Sequence, residues 1–216
     1  MIRGQLYYGF DKSLFDLRTQ ARHLLAEFNT HIKPDDRAGQ IRVMRALFGP
    51  GVKHLTDDEM PFIEPPFRCD YGHNIRFGKN VYMNFNTTIL DCAPVHIGDR
   101  VLFGPNCSVY TAEHPLSPTV RSGTAGPEFA RPITIGNDCW LGGNVVVVSS
   151  VNVGDGCTVG AGSVVTRDLP AMSLAVGNPA RVKRVLEEDK AVAEGIASGE
   201  VKREDVEDPR WVGLKR

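Results

Sequence analysis

Aliphatic residues recur at every sixth position through the second half of the chain. Six consecutive hexads begin with Ile135, Leu141, Val147, Val153, Val159 and Val165. In four of these hexads glycine follows the aliphatic residue, and the fifth position is small or branched. A strand repeats every ~2.0 residues and a helix every ~3.6, so neither element alone explains a period of six. The pattern predicts short, flat strands stacked into coils, with three hexads in each triangular coil.

The period persists towards the amino terminus. The hexads IGDRVL, FGPNCS and VYTAEH begin at Ile97, and a less regular block begins at Phe77, with two residues inserted between the blocks. Aliphatic side chains at this spacing would point into a narrow prism, while corner glycines would adopt positive φ angles. A sandwich is the alternative, but its turns are less regular and fall about 8 to 12 residues apart. We therefore predict a mainly β protein, a parallel β-helix whose handedness the period does not determine.

Helical patterns precede the repeat. Ser13 and Asp16 resemble a shortened capping box. It opens a helix whose apolar face comprises Leu14, Leu17, Ala21, Leu24, Leu25 and Phe28. A second helix starts near Pro34, stops at Gly49-Pro50 and carries Ile41, Met44 and Leu47. We predict a helical cap over residues 1–60 that covers the open end of the prism, the β-helix over 61–181, and a carboxy-terminal helix with an extended arm over 182–216.

Composition narrows the class of protein. The 216 residues suffice for one domain with short additions, and 25 Lys and Arg nearly balance 26 Asp and Glu. The formal charge of -1 offers no attraction for nucleic acid or an anionic membrane. No apolar stretch approaches the ~20 residues of a membrane helix, and the start MIRGQLYYGF lacks the apolar segment of a secretory signal. We expect a cytoplasmic protein with a small-molecule partner.

Cysteine and histidine patterns indicate neither a disulfide framework nor a metal site. The cysteines are odd in number and form no CxxC pair, so we expect them in the core: Cys69, Cys92, Cys107, Cys139 and Cys157. Three clustered zinc ligands are not evident among the six histidines, and we predict no metal. A phosphate-binding GxxxxGKS or GxxxxGKT loop is also absent from the sequence.

One histidine is distinguished by its position. His114 lies where TAEHPLSPTVRSGTAGPEFARP interrupts the hexads, which predicts a loop over residues 111–132. Irregular segments that leave a rigid scaffold often carry function. We therefore single out His114 as the candidate functional histidine and expect the other five on the surface or in packing positions.

Several longer motifs occur together in a specific order. The segment PPFRCDYGHNIRFGKNVYMNFNTTILD, followed by VHIGDRVLFGPNCSVYTAEHPL, resembles the maltose and galactoside O-acetyltransferases of the hexapeptide-repeat superfamily. The resemblance extends to about Arg184 and includes PITIGNDCWLGG, GAGSVVTRDLP and VGNPARV. It implies left-handed β-helices that assemble as homotrimers, with acetyl-CoA and acceptor sites in clefts between neighbouring prisms.

The resemblance also assigns roles on the acceptor side. It implies that His114 is the catalytic base, which fits the chemistry because a sugar hydroxyl is a weak nucleophile near neutral pH. Asn84 and Asp70 match acceptor-binding positions, and Glu128 matches an acidic position of maltose-type relatives that could orient His114 or bind the acceptor. Asp11 is a weaker acceptor candidate, because the galactoside aspartate falls nearer Gly9. At Cys92 the chain departs from the aspartate of the galactoside enzymes, which weakens the case for a galactoside acceptor.

A cofactor site is indicated near the end of the repeat. A pantetheine arm needs a long narrow groove, which small hexad residues could leave open beside Trp140: Gly142, Gly143, Ala161 and Gly162. The phosphates of coenzyme A need cations, and a basic cluster follows: Arg167, Arg181, Lys183 and Arg184. Thr166, Arg167, Arg181 and Arg184 match coenzyme-contact positions of the family. A solvated terminus is the alternative interpretation of the basic cluster.

These features predict an acetyl-CoA-dependent O-acetyltransferase that transfers acetyl to a hydroxyl of a sugar or sugar-like molecule by direct attack. An antibiotic, an amino sugar or a secondary metabolite is the alternative acceptor. A zinc hydrolyase on the same prism would need three converging histidines. A non-catalytic β-helix scaffold would not need His114, Asn84 and the terminal arginines together.

Overall fold

Three parallel sheets surround one apolar core in the computed structural model, which describes Met1, residues 3–186 and Ser198. Residues Met1–Val185 form one compact unit. The first residues of the six hexads that begin at Ile135 are all 1% exposed or less, as the prism requires. The prediction of a mainly parallel β-helix is confirmed. Among the described helices, none has the length and apolar character needed to cross a membrane.

Two helices precede the first coil. α1 (Lys12–Ala26) runs into a π-helical turn (Glu27–His31), and α2 (Arg37–Phe48) ends in a 3-10 turn (Gly49–Gly51). Phe48 of α2 packs on Phe67 and Phe77, with ring centroids 5.9 and 4.8 Å apart, so α2 closes over the first coil.

The start and the apolar face of α1 differ from the sequence prediction. Asp11 is the N-cap, because its carboxylate accepts a hydrogen bond from the backbone N–H of Ser13 at 2.9 Å. The predicted capping box of Ser13 and Asp16 is wrong, since Asp16 pairs with Lys12 at 2.6 Å instead. Leu17, placed on the apolar face, is 38% exposed, whereas Ala21, Leu25 and Phe28 are buried.

The strands follow one another around the prism. The first two coils contain β1 (Phe62–Ile63), β2 (Arg68–Cys69), β3 (Ile75–Phe77), β4 (Tyr82–Met83), β5 (Thr88–Leu90) and β6 (Val95–Ile97). The third contains β7 (Leu102–Phe103), β8 (Ser108–Tyr110), β9 (Ala112–Glu113), α3 (Pro118–Arg121), a 3-10 turn (Gly123–Ala125), β10 (Phe129–Ala130) and β11 (Ile133–Ile135). The last strands are β12 (Trp140–Leu141), β13 (Val146–Val148), β14 (Asn152–Val153), β15 (Thr158–Val159), β16 (Val164–Val165), β17 (Ser173–Val176) and β18 (Arg181–Val185).

Each sheet forms one face of the prism. The first face contains β1, β4, β7, β12, β15 and β17; the second contains β2, β5, β8, β13 and β16; the third contains β3, β6, β11 and β14. We call the corner between the first and second faces the first edge, and the corner between the second and third faces the second edge. Tyr82 pairs with Phe62 and Leu102, so the early coils take 20 residues, whereas Trp140 pairs with Thr158, so the fourth takes 18. The two extra residues lie at the second edge, because eight residues separate Thr88 from His96 whereas six separate the equivalent positions Val146 and Asn152.

The hexad glycines have a different role from the one predicted. Positive φ angles occur two positions later, as at Asp138 (58°) and Asn144 (59°), and not at Gly136 or Gly142. A Cβ on Gly136 would overlap the carboxylate of Asp155 in the next coil, and that carboxylate accepts a hydrogen bond from the backbone N–H of Asn137 at 2.7 Å. These glycines are required because successive coils approach closely, so the predicted φ role is wrong for them.

The end of the described unit also differs from the prediction. Residues Arg181–Val185 form β18, which runs antiparallel to β17. The predicted start of the carboxy-terminal helix and arm at residue 182 is therefore too early, because residues 182–185 belong to a strand. Apart from Leu186 and Ser198, the remainder of the predicted carboxy-terminal helix and arm lies outside the described residues.

Candidate functional site

The excursion, residues 111–132, leaves the prism at the second edge. Its base is a short antiparallel ladder in which Glu113 pairs with Phe129 and Ala112 with Ala130. His114 directly follows this ladder, and its side chain is 54% exposed. The predicted loop is thus anchored by this ladder, and the imidazole lies where the ladder ends.

A carboxylate faces the imidazole. Oε2 of Glu128 lies 3.8 Å from Nε2 of His114. The backbone of Glu128 exchanges two hydrogen bonds of 2.9 Å with the backbone of Tyr7, so the amino-terminal segment lies against the excursion. Gly9 is part of the same contact, because a Cβ there would overlap the Glu128 carboxylate. Tyr7 and Gly9 of the segment before α1 therefore adjoin the carboxylate that faces His114.

A second acidic group lies at the second edge. Asp70 follows β2 and accepts a hydrogen bond from the Cys92 thiol at 3.4 Å, and burial raises the pKa of its carboxyl. Asp91 is fully buried and accepts the backbone N–H groups of Asp70 and Tyr71 at 3.0 and 2.9 Å. Burial raises the pKa of Asp91 to about 6 despite these hydrogen bonds. Asp91 thus fixes the backbone that carries Asp70.

The other two acceptor candidates lie elsewhere. Asn84 follows β4 at the first edge, where its Oδ1 accepts from the backbone N–H of Phe85 at 2.7 Å. The second face separates this edge from His114 by up to about 20 Å, given six residues at ~3.3 Å each. Asp11 is exposed, and the hydrogen bond from Ser13 lowers the pKa of its carboxyl. Within one chain the structure does not bring Asn84 to the histidine, and it gives Asp11 a capping role.

The cofactor candidates divide between the same two edges. Gly142, Gly143 and Ala161 lie in turns of the first edge, next to Trp140 on the outer side of the first face. Thr166 and Arg167 lie at the second edge, where they line a cleft of about 570 Å³ with Glu113, Arg131 and Ser149. The exposed residues Arg181, Lys183 and Arg184 belong to β18, beside the first face.

The small residues at the first edge are not equivalent. A Cβ on Gly142 would lie 2.7 Å from the backbone nitrogen of Ala161, so this glycine serves the stacking of coils. A Cβ on Gly143 would approach only Pro105, at 3.4 Å, and one on Gly162 would meet nothing within 4 Å. Open space of the kind predicted for a groove therefore adjoins Gly143 and Gly162 but not Gly142.

Sequence reasoning did not single out three residues in or around the excursion and the amino-terminal segment: Tyr7, Arg18 and Glu113. Glu113 accepts a hydrogen bond from Ser149 and lies 3.6 Å from Arg131. Arg18 of α1 donates to the Tyr71 hydroxyl at 2.7 Å and to the Gly9 carbonyl. Glu113 stands next to His114 in TAEHP and could have been found there. Tyr7 and Arg18 carry no such signal, because only the fold brings the amino-terminal segment to the excursion.

Metal ligands do not cluster in the part of the chain that the structure describes. Within residues 3–186, no three His, Cys, Asp or Glu side chains are arranged so that they could hold an ion. All five cysteines are buried free thiols.

Comparisons with known proteins give a consistent picture. A profile of the maltose acetyltransferase hexapeptide capping motif matches residues 1–51, and one of the hexapeptide repeat of succinyl-transferase matches residues 132–167. The galactoside O-acetyltransferase of Escherichia coli K12 is 38% identical over 84% of this chain and 85% of its own length.

Two solved structures share the fold. The maltose O-acetyltransferase of Clostridium difficile 630 has a TM-score of 0.80 at 36% identity, over 87% of this chain and 95% of that one. A hexapeptide-repeat acetyltransferase of Vibrio cholerae O1 biovar eltor, complexed with acetyl coenzyme A, has a TM-score of 0.74 at 36% identity, over 87% and 97% of the two chains. The matches extend through both the helical region and the prism.

Proposed function

Because the chain belongs to the maltose and galactoside O-acetyltransferase family of left-handed β-helix proteins, we propose that it acetylates a hydroxyl of a sugar or sugar-like molecule. It is an acetyl-CoA-dependent acyltransferase, and acetyl-CoA is its co-substrate. The observation that carries the acceptor chemistry is His114 at the mouth of the excursion, 3.8 Å from Glu128. We expect the reaction to take place in the cytoplasm.

The proposed reaction is a direct transfer. The His114 imidazole takes the proton from the acceptor hydroxyl while the hydroxyl oxygen attacks the thioester carbonyl. Backbone N–H groups stabilise the oxyanion that forms. When it collapses, the carbon–sulfur bond breaks and the sulfur of coenzyme A receives the proton from the imidazolium. The products are the acetyl ester and free coenzyme A, and no acyl-enzyme is needed.

Glu128 supports the base electrostatically. The 3.8 Å separation is too long for a hydrogen bond, so the carboxylate does not fix the imidazole directly. The Glu128 side chain is only 21% exposed, and its negative charge would face the positive charge that forms on the imidazole during proton transfer. Together with Asp70, it supplies the acidic groups of the acceptor side.

The division of candidates between two edges supports a site shared by neighbouring subunits. One edge carries His114, Asp70, Thr166 and Arg167, and the other carries Asn84, Gly142, Gly143 and Ala161, with Trp140 beside it on the first face. In a homotrimer with cyclic symmetry, each first edge can meet the second edge of the next copy. Large apolar side chains on the outer first face favour coverage by such a neighbour, as Phe62, Leu102 and Trp140 are 44, 47 and 45% exposed. The basic residues Arg181, Lys183 and Arg184 would hold the phosphates of coenzyme A.

Acetyl transfer from labelled acetyl-CoA to a panel of sugars tests the proposal. Mass spectrometry before and after mild hydroxylamine treatment, which cleaves acetyl esters but not acetamides, separates O-acetylation from N-acetylation of amino sugars. His114→Ala should lower kcat/KM at least about 100-fold, which is the lower end of a general base contribution. The matched control is His54→Ala, at an exposed histidine outside the site, and it should keep wild-type turnover. Near-wild-type turnover by His114→Ala would exclude this residue as the base, and failure of every hydroxyl acceptor would refute the proposed reaction.

A further inference from the structure

One hydroxyl of the amino-terminal segment is buried without a partner. Among the described residues, only Tyr7 Oη and Ser173 Oγ are buried side-chain polar atoms that lack a hydrogen bond. Ser173 stands beside the Cys157 thiol inside the prism. Tyr7 is different, because it belongs to the strand-like segment that crosses the excursion. A buried unpaired hydroxyl destabilises a protein, so its retention needs an explanation.

The surroundings of Tyr7 belong to the acceptor side. Its backbone is tied to Glu128 by two hydrogen bonds of 2.9 Å, and its ring packs against the cluster that contains Tyr71, Cys92 and Ala130. The Cys92 thiol in turn donates to Asp70. The Tyr7 hydroxyl lies near the Glu128 and Cys92 side chains, both of which act on its pKa, but it forms no hydrogen bond with either.

The protonation states of these groups define what they can bind. Burial, and then the neighbouring Cys92 and Glu128, raise the pKa of Tyr7, so it is a neutral phenol. Burial raises the pKa of Cys92 to about 12, so it is a thiol and not a nucleophilic thiolate. A phenol can donate one hydrogen bond, whereas a carboxylate can only accept.

We propose that Tyr7 binds the acceptor: its hydroxyl and the Glu128 carboxylate together hold a second hydroxyl of the acceptor, beside the hydroxyl that His114 deprotonates. This inference rests on the proposed function. A hydroxyl satisfies both groups at once, because it donates to the carboxylate and accepts from the phenol. An ammonium group has no lone pair to accept from Tyr7, and a hydrogen atom serves neither. The site thus selects acceptors with at least two neighbouring hydroxyls over simple alcohols and over amino analogues at the second position.

Tyr7→Phe is the decisive variant, because it removes one oxygen and keeps the ring. Loss of a buried unpaired hydroxyl should raise Tm. The KM for the acceptor should rise about tenfold or more, while the KM for acetyl-CoA stays unchanged. The wild-type preference for a sugar over its deoxy analogue at the second hydroxyl should disappear. Tyr8→Phe is the matched control, since Tyr8 is 63% exposed, and it should change neither Tm nor the acceptor KM.

A raised Tm with an unchanged acceptor KM would overturn the proposal and leave a hydroxyl that only an ordered water satisfies. His114→Ala measured in parallel separates the two hypotheses. If His114→Ala loses turnover while Tyr7→Phe keeps the acceptor KM, the proposed function stands and this inference fails. If the wild type acetylates no hydroxyl acceptor, the proposed function itself fails. If Tyr7→Phe does not fold, the wild type still provides a test. Equal kcat/KM values of the wild type for the sugar and for its deoxy analogue would refute the inference.

Discussion

The Glu128 carboxylate occupies the position that a Cβ of residue 9 would take. A Cβ on Gly9 would overlap Oε1 and Cδ of that side chain. The obstacle is the end of a flexible side chain, so Gly9→Ala should fold but should displace the carboxylate. We expect a reduced kcat/KM for the acceptor, by about tenfold, with the acetyl-CoA KM unchanged. Steady-state kinetics with each substrate varied provides the measurement.

The pair Gly9→Ala and Glu128→Gln forms a double-mutant cycle. Both changes remove the same carboxylate from the same place, so their effects should not add. If the double variant is as active as the less active of the two single variants, both substitutions act through the Glu128 carboxylate. Fully additive losses would mean that Gly9 acts independently of Glu128.

Asp91 predicts a pH dependence of stability. Its pKa in the folded protein, about 6, lies above the ordinary value of 3.8, so the folded state binds more protons than the unfolded state between these values. The stability that Asp91 contributes is therefore greatest below about pH 4 and is lost as the pH rises through about 6. From about pH 7.5 to about pH 5 the wild type should gain about 1.4 kcal/mol relative to Asp91→Asn. Urea unfolding of both proteins at the two pH values measures this difference, and a constant difference would contradict it.

Gly142 and Gly143 separate coil stacking from cofactor binding. Gly142→Ala places a Cβ against the backbone of Ala161 and should lower the free energy of unfolding by about 1–3 kcal/mol. Gly143→Ala has room and should unfold like the wild type, while its acetyl-CoA KM should rise if the predicted groove passes there. Chemical denaturation and coenzyme titration make the comparison. An unchanged KM in Gly143→Ala would move the groove away from this turn.

A shared site predicts complementation between inactive variants. His114→Ala keeps Asn84, and Asn84→Ala keeps His114, and the two residues lie on different edges of the prism. Random mixed trimers, refolded from equal amounts of the two variants, should recover about a quarter of the wild-type sites. Each variant refolded alone serves as the control. If the mixture is no more active than its components, the two residues act within one subunit or Asn84 is not required.

Asp11 provides a test of capping against acceptor binding. Asp11→Asn should keep the N-cap and Asp11→Ala should lose it, so the alanine variant should have the lower Tm. Both should keep the wild-type acceptor KM, because the carboxylate caps α1 through Ser13. A raised acceptor KM in both variants, without a difference in Tm, would restore the acceptor role predicted for Asp11.

The sequence predicted the prism because its physical cause repeats in the sequence. Ile135 and Leu141 recur at six because each points into one narrow core. The same pattern could not show why Gly136 is glycine, since close stacking and a positive φ both select glycine. Only the contact with Asp155 of the next coil decides between them.

From the repeat alone, the candidate site could be located only where it coincides with a break in that period. His114 and Glu128 lie in the interruption itself, so the sequence marked them. No sequence pattern indicates Tyr7, because its backbone partner Glu128 is far away in the chain and the segment around Tyr7 has no periodic pattern. The sequence predicts the end of the β-sheet at residue 181 and not at Val185, since β18 depends on pairing with β17 and carries no local signal.

The third coil can be lengthened without disturbing its neighbours. Val95 pairs directly with Ile133, although 38 residues separate them in sequence and only 20 separate Ile75 from Val95. The strands that pair on either side of the excursion therefore stay in register regardless of the residues that the excursion contains. Residues 111–132 form an exchangeable segment. Grafting the corresponding stretch of a relative between these strands should alter acceptor choice, while the host keeps its own melting behaviour.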